Sequence, residues 1–101
     1  MENNNNKFNH IIQYLKETIE EKEKSNDMNS YTYKLINKDL SRIIQKVGEE
    51  AIEVVIAAGK AEKQDLINES ADLLFHLLIL LRKKDISLDE IADELIKRKK
   101  K

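Results

Sequence analysis

The chain has 101 residues, of which 37% are charged and 5% aromatic, with a formal net charge of -1 and no Cys, Pro or Trp. Nearly balanced charge excludes the basic surface that recruits nucleic acid or anionic membrane, and the lack of cysteine excludes disulfide frameworks and thiolate metal sites. Turn-rich β architectures need Gly and Pro at their corners, but only two glycines are present. We therefore predict one all-α domain in the reducing cytoplasm, with no nucleic acid or membrane partner.

Both ends of the chain are polar. The opening residues MENNNN lack the basic and apolar regions of a signal peptide, so we expect residues 1–6 to be disordered. The closing residues KRKKK are basic, and we expect residues 99–101 to form a solvated tail. The predicted domain covers residues 7–98.

In the first half of the chain, apolar residues recur at three- and four-residue steps in two segments. Residues 8–24 and residues 38–58 are therefore predicted helices, and Gly59 suits the C-terminal cap of the second. The stretch SNDMNSYTYK between them is rich in Ser, Asn and Asp, whose side chains compete for backbone hydrogen bonds. That stretch is predicted to be a loop.

Two further helices are predicted in the second half. Asp65 can cap the first turn of a third helix, whose apolar run continues to Leu81. Ser87 and Glu90 have the spacing of a capping box and open a last helix. Four helices with short later connections predict a four-helix antiparallel bundle. The third helix is apolar on too many sides for a small protomer to cover, so we expect a homodimer.

The third helix also carries a polar row, Glu69, Asp72 and His76, at helical spacing within its apolar run. A helix that is apolar all round is buried, so this row should face the interior or a cleft. The preceding helix carries Glu50 and Glu53 on one side, and antiparallel packing would bring the two pairs together. Carboxylates that close repel one another, and a divalent cation is the simplest neutraliser.

The oxygen-only ligand set, Glu50, Glu53, Glu69 and Asp72, indicates Mg²⁺, with Mn²⁺ as a substitute. A di-iron bundle is the competing interpretation, but it requires Glu-x-x-His motifs, and His76 lies four residues after Asp72. For His76, a hydrogen-bonded structural role and a substrate contact are both open.

Three stretches, SYTYKLI, RIIQKVGEEAIEVVIAA and ESADLLFHLLILL, closely resemble the phosphoribosyl-ATP pyrophosphohydrolase family in their order and spacing. The resemblance implies a MazG-like all-α fold, a homodimer, and Mg²⁺ bound by Glu-x-x-Glu and Glu-x-x-Asp motifs, here Glu50, Glu53, Glu69 and Asp72. It implies the hydrolysis of phosphoribosyl-ATP to phosphoribosyl-AMP and pyrophosphate, the second step of histidine biosynthesis. Many members are fused to a cyclohydrolase, and here we expect any cyclohydrolase partner to be separate.

The remaining site residues follow from this chemistry. Glu49 or Glu50 is expected to take the proton of the attacking water, and the sequence does not choose between them. The residues predicted to contact substrate are the loop residues Ser30, Tyr31, Thr32 and Lys34, the bases Arg42 and Lys46, and His76. Two rival functions are a house-cleaning nucleotide pyrophosphatase of the same superfamily and a non-enzymatic helical dimerisation module.

Overall fold

The computed structural model describes residues 4–37 and 40–99, and this part of the chain is entirely helical outside its turns. The all-α prediction is thus confirmed for these residues. They form five helices rather than four, namely α1 (Asn4–Glu23), α2 (Tyr31–Ile36), α3 (Leu40–Ala58), α4 (Lys63–Lys83) and α5 (Leu88–Lys97).

The additional helix is α2, which takes up the last four of the ten residues predicted to be a loop. Ser30 is its N-cap and its Oγ accepts a hydrogen bond from the backbone N–H of Tyr33 at 3.1 Å. The same hydroxyl chemistry that favours turns therefore starts a helix here. Leu35 and Ile36 are buried, and this burial provides the tertiary stabilisation that a helix of this length requires.

The buried core lies where α1, α2, α3 and α4 meet. It consists of aliphatic side chains from each of these four helices, Ile19, Leu35, Ile36, Ile43, Leu78 and Ile79. Burying one such side chain contributes roughly 1.5–3 kcal/mol. α5 supplies none of them, and only its first residue, Leu88, packs against the edge of this cluster.

The most extensive packing is between α3 and α4, which form a hairpin closed by a short connection. The apolar residues that recur along α3 divide into a covered and an exposed group. Ile43 is buried and Val47 and Val54 are half-buried, whereas Ile44 and Val55 are 53% and 72% exposed. One neighbouring helix covers only a strip of a helical surface, so the exposed group has no partner within the protomer.

Polar contacts join α1 and α2 to the C-terminal part of α4. Arg82 Nε donates to Glu23 Oε1 at 2.9 Å and Arg82 Nη1 donates to Glu20 Oε2 at 3.1 Å. Lys83 Nζ donates to the backbone oxygen of Ile36 at 2.9 Å, where the last carbonyl groups of α2 lack helical donors. Exposed ion pairs add little stability singly. The Arg82 pairs orient α1 against α4, and the Lys83 hydrogen bond orients the short α2 against α4.

The helix ends agree with the sequence in one case and differ in three. Ser87 and Glu90 form the predicted capping box at α5. Gly59 is not a left-handed cap, because no glycine among the described residues has a positive φ. Asp65 lies inside the first turn of α4, which begins after Glu62. It is therefore not the N-cap, but its negative charge interacts favourably with the N-terminal end of the helix dipole. Asn4–Asn6 are helical rather than disordered.

Residues 1–3, 38–39 and 100–101 lie outside the described residues, so the expectations for the extreme N-terminus, for the start of the second predicted helix and for most of the basic tail fall on residues that are not described. Just before that tail, Arg98 Nε donates to Glu94 Oε2 at 2.9 Å. Within residues 4–37 and 40–99, no helix combines the length and the apolar character needed to cross a membrane.

Candidate functional site

The α3–α4 hairpin brings three of the four predicted metal-binding carboxylates together. One carboxylate oxygen each from Glu50, Glu69 and Asp72 lies within 4.8 Å of the others. Glu50 is on the side of α3 that packs against α4, because it falls between Ile43 and Ala57 around the helix. The antiparallel arrangement of the two helices therefore produces a compact acidic group from residues far apart in sequence.

The fourth predicted ligand, Glu53, is exposed and lies outside this group. It is one helical turn after Glu50, at the flank of the packed side of α3. Glu53 is nevertheless close enough to act electrostatically on Glu69. Its backbone is on the turn next to that of Glu50, so the two side chains are neighbours on the helix surface.

Glu69 has the most perturbed electrostatic environment in the group. Partial burial raises the pKa of this carboxyl above its ordinary value, and the negative charges of Glu53, Asp72, Glu50 and Asp65 raise it further. Among the described residues, no ion pair reaches Glu69 or Asp72. Clustered carboxylate oxygens of this kind are the ligand type that hard divalent cations prefer.

A basic side chain approaches this acidic group from α3. Lys46 Nζ is 3.6 Å from Glu50 Oε2 and 3.8 Å from Glu49 Oε1. Glu49 is exposed and also accepts a hydrogen bond from Gln45 Nε2 at 2.9 Å. The structure therefore separates the two predicted catalytic glutamates, with Glu50 inside the carboxylate group and Glu49 outside it.

His76 is 7% exposed, as expected for an inward-facing polar row on α4, whereas Glu69 is half-buried and Asp72 is exposed. Only the His76 end of the predicted row therefore faces the interior. Both ring nitrogens of His76 have partners. Nδ1 is 2.9 Å from the backbone oxygen of Asp72, and Nε2 is 2.8 Å from the hydroxyl oxygen of Tyr31. The rings of Tyr31 and Phe75 contact the imidazole edge to face. The bond to Tyr31 links α2 to α4 directly beside the acidic group.

The other residues predicted to contact substrate surround this region at different depths. Ser30 accepts the capping hydrogen bond of α2 with one lone pair of its hydroxyl, so its O–H donor and one lone pair remain. Thr32 is half-buried and Lys34 is exposed on the same helix. Arg42 is exposed on α3 one turn before Lys46 and has an interaction partner of its own.

Sequence reasoning did not predict the contact between Tyr31 and His76. The two residues are separated by 45 positions and belong to two different helices, so no helical spacing relates them. A hydroxyl followed by a distant imidazole is too common a combination to be informative. Only the packing of α2 against α4 makes this pair.

A cavity of about 450 Å³ lies elsewhere in the protein, between α1 and the turn that joins α4 to α5. Ile19, Leu78 and Leu88 form its apolar lining, and Lys16 and Arg82 lie at its edge. None of the clustered carboxylates lines it. The cavity and the acidic group are therefore separate features of the molecule.

Comparison with known proteins places these residues in context. A family model described as phosphoribosyl-ATP pyrophosphohydrolase matches residues 12–99, which include every predicted site residue. A "Phosphoribosyl-ATP pyrophosphatase" of Methanosarcina acetivorans is 41% identical over 93 residues, covering 90% of this chain and 89% of that protein. One of Pyrobaculum calidifontis is 40% identical over 91 residues, covering 90% of this chain and 97% of that protein.

A second kind of relative is longer. The "Histidine biosynthesis bifunctional protein HisIE" of Buchnera aphidicola subsp. Acyrthosiphon pisum is 44% identical over 97 residues. That alignment covers 95% of this chain but only 45% of the bifunctional protein. The chain thus spans less than half the length of this relative and nearly the whole length of the shorter ones.

Proposed function

Because the chain belongs to the phosphoribosyl-ATP pyrophosphohydrolase family, we propose that it hydrolyses phosphoribosyl-ATP to phosphoribosyl-AMP and pyrophosphate in the cytoplasm, as a step of histidine biosynthesis. The observation that carries the proposal is the convergence of Glu50, Glu69 and Asp72 within 4.8 Å inside the matched region. A triphosphate substrate brings several negative charges, and an acidic site accepts it only when a cation lies between them.

The cation we propose is Mg²⁺, with Mn²⁺ as a substitute, held by Glu50, Glu69 and Asp72 and by Glu53 after side-chain rotation. Carboxylate oxygens are the ligands that these hard cations prefer. The raised pKa of Glu69 is consistent with this fit, since it arises from partial burial and then from the negative charges of the neighbouring carboxylates, which a bound cation would offset. When bound, Mg²⁺ would neutralise charge on the phosphate oxygens and favour attack by water between the α- and β-phosphates.

Two residues of α3 have complementary tasks in this proposal. Glu50 belongs to the carboxylate group, so Glu49 is the glutamate that remains to accept the proton of the attacking water. Lys46 is held between these two carboxylates at 3.6 and 3.8 Å and is the nearest base available to pair with a phosphate oxygen. Arg42, one turn earlier on the same helix, extends this basic row toward the substrate.

We also propose that the active form is a homodimer. Large apolar side chains are exposed on the outer surfaces of three helices, including Ile52 and Val55 of α3, Ile67 of α4, and Leu95 and Ile96 of α5. Contiguous exposed apolar surface is rare on a small monomer and is typical of an interface. A second copy would cover these surfaces by a two-fold contact, which buries the same residues on both protomers.

A direct test is to incubate the purified protein and Mg²⁺ with phosphoribosyl-ATP, dUTP and dCTP in parallel and to measure pyrophosphate release. We expect release from phosphoribosyl-ATP and much less from the two deoxynucleotides. Preference for dUTP or dCTP would instead identify a house-cleaning pyrophosphatase. No release from any of them would favour the helical dimerisation module.

The matched variants for this test are Glu49→Gln and Glu50→Gln, which remove one charge from neighbouring positions. Glu50→Gln should weaken Mg²⁺ binding, measured by calorimetry, and abolish turnover. Glu49→Gln should lower kcat by roughly 10²–10⁴-fold while Mg²⁺ binding is retained. Equal loss of Mg²⁺ affinity in both variants would contradict the division of roles.

A further inference from the structure

Which of Tyr31 and His76 donates the hydrogen bond between them follows from the second hydrogen bond of His76. A backbone carbonyl can only accept a hydrogen bond, so the contact of 2.9 Å between His76 Nδ1 and the oxygen of Asp72 requires a proton on Nδ1. The other tautomer would place a nitrogen lone pair against a carbonyl lone pair. In a neutral imidazole, the ordinary form at about pH 8, the single ring proton of His76 is therefore on Nδ1.

In this tautomer Nε2 has no proton and must accept. The hydroxyl group of Tyr31, 2.8 Å away, therefore donates its single proton to His76. The phenol oxygen retains lone pairs, and the Tyr31 residue is 50% exposed, so a ligand can approach it from solvent. Toward any ligand, Tyr31 is consequently an acceptor and not a donor.

We propose that Tyr31 determines specificity by accepting a hydrogen bond from a donor group of the substrate, the chemical class of a ribose hydroxyl, and that it does not contact phosphate oxygens. His76 is the positioning residue that sets this polarity, since it takes the Tyr31 proton and is itself fixed by the backbone of Asp72. Phosphate oxygens only accept, so they would meet a lone pair at Tyr31 and be repelled. The inference deepens the proposed function and rests on it.

The location of the pair explains how one contact serves the site. Tyr31 is the first residue of α2, and His76 lies one turn after Asp72 on α4. A ribose hydroxyl bound at Tyr31 would therefore lie on the α2 side of the acidic group, while the triphosphate lies at the carboxylates and Lys46. The ribose hydroxyl groups, which can donate hydrogen bonds, and the phosphate oxygens, which can only accept them, would thus bind on different sides of the site.

The tautomer is tested first, without any ligand. Long-range ¹H–¹⁵N correlation spectra of the labelled protein at about pH 8, where ordinary imidazoles are neutral, should show His76 with its proton on Nδ1 alone. His10, which is exposed on α1, is the internal reference and should show a mixture of tautomers. A proton on Nε2 of His76, or a mixture like that of His10, overturns the proposal.

Selectivity is tested by calorimetric binding of two probes in the presence of Mg²⁺. Phosphoribosyl-AMP carries ribose hydroxyl groups, whereas inorganic triphosphate carries none once ionised. Tyr31→Phe should weaken phosphoribosyl-AMP binding about 5- to 10-fold and leave triphosphate binding unchanged. The matched control is Tyr33→Phe, which removes a hydroxyl from the same helix whose nearest partner is Asn26, at 3.4 Å. It should leave both affinities unchanged.

The positioning role of His76 is tested by two variants with opposite consequences. His76→Gln keeps an acceptor for Tyr31 and should preserve the ratio of the two affinities. His76→Leu frees the Tyr31 proton, so the preference for phosphoribosyl-AMP over triphosphate should fall about 5-fold or more. If His76→Leu does not fold, the Tyr31→Phe result decides.

Equal weakening of both probes by Tyr31→Phe, or no weakening of either, overturns the proposal. These binding measurements do not require turnover. A wild-type protein that binds both probes but releases no pyrophosphate would therefore defeat the proposed function alone, and the two failures remain distinguishable.

Discussion

α4 and α5 follow each other in the chain and are both amphipathic, but the protomer packs only one of them. α4 contacts α1, α2 and α3 and buries His76, Leu78 and Ile79, whereas α5 buries no residue. On α4 the apolar neighbours hold the acidic row in place. On α5 the apolar side, including Leu95 at 63% exposure, has no such neighbour within residues 4–37 and 40–99. The protomer is thus structurally complete around its carboxylates and incomplete around its last helix.

Asp72→Asn gives the largest expected effect and tests the α4 side of this comparison. It removes one charge from the carboxylate group and should lower Mg²⁺-dependent pyrophosphate release by at least about a hundredfold, with helix content unchanged by circular dichroism. The control is Asp93→Asn, the same change on the exposed polar side of α5. Comparable losses in both variants would show that the acidic group is not the site.

Leu95→Asn tests the α5 side. If a second copy covers this helix, placing a polar group in that interface should raise the dimer dissociation constant about thirtyfold or more. Sedimentation equilibrium measures the change, and Asp93→Asn, which introduces the same residue on the opposite side of α5, should leave it unaltered. A wild-type protein that sediments as a stable 11.8 kDa monomer would refute the dimer proposal.

Ser87→Ala sharpens the comparison at the junction between the two helices. It removes the hydroxyl that caps α5 through the backbone N–H of Glu90, at 3.2 Å, and should cost about 1 kcal/mol of helix stability. Urea unfolding at fixed protein concentration would report this cost in the global free energy only if α5 unfolds together with the rest. Ser87→Thr retains a capping hydroxyl and is the control. If the protein is a monomer, so that α5 has no partner, loss of the full amount of about 1 kcal/mol from the global free energy of unfolding would contradict our account of this helix.

Glu69→Gln gives the smallest expected effect, on the stability of the protein without divalent ions. Because the folded protein raises the pKa of Glu69 above its ordinary value of 4.5, the folded state holds that proton more tightly than the unfolded chain. Stability should therefore fall as pH rises from 4.5 through the raised pKa, and the cost should be complete above it. Near neutral pH the variant should melt at a higher temperature than the wild type.

The difference in melting temperature between wild type and Glu69→Gln should shrink as pH falls toward 4.5. Adding Mg²⁺ should reverse the order, since the wild type has the additional ligand and a cation bound only to the folded state stabilises it. Glu21→Gln, an exposed change on α1, should show neither behaviour. An identical pH profile for both variants would mean that the carboxylates around Glu69 do not affect stability.

Helix identity was largely predictable because it depends on neighbours within one or two turns. The periods of three and four residues located α1, α3, α4 and α5, and the spacing of Ser87 and Glu90 predicted the cap of α5. α2 was missed for a physical reason. Its residues favour turns by local chemistry, and the burial of Leu35 and Ile36 overrides that preference.

The sequence by itself determined the all-α class, the two acidic pairs at i, i+3 spacing and the polar row that ends at His76. Each of these depends only on the fixed geometry of one helix. Tertiary structure alone decided that Glu50 rather than Glu53 meets Glu69 and Asp72, that Tyr31 reaches His76, and that α5 lies uncovered. Such outcomes depend on how helices cross and how far apart they lie, and packing between side chains distant in the sequence sets both.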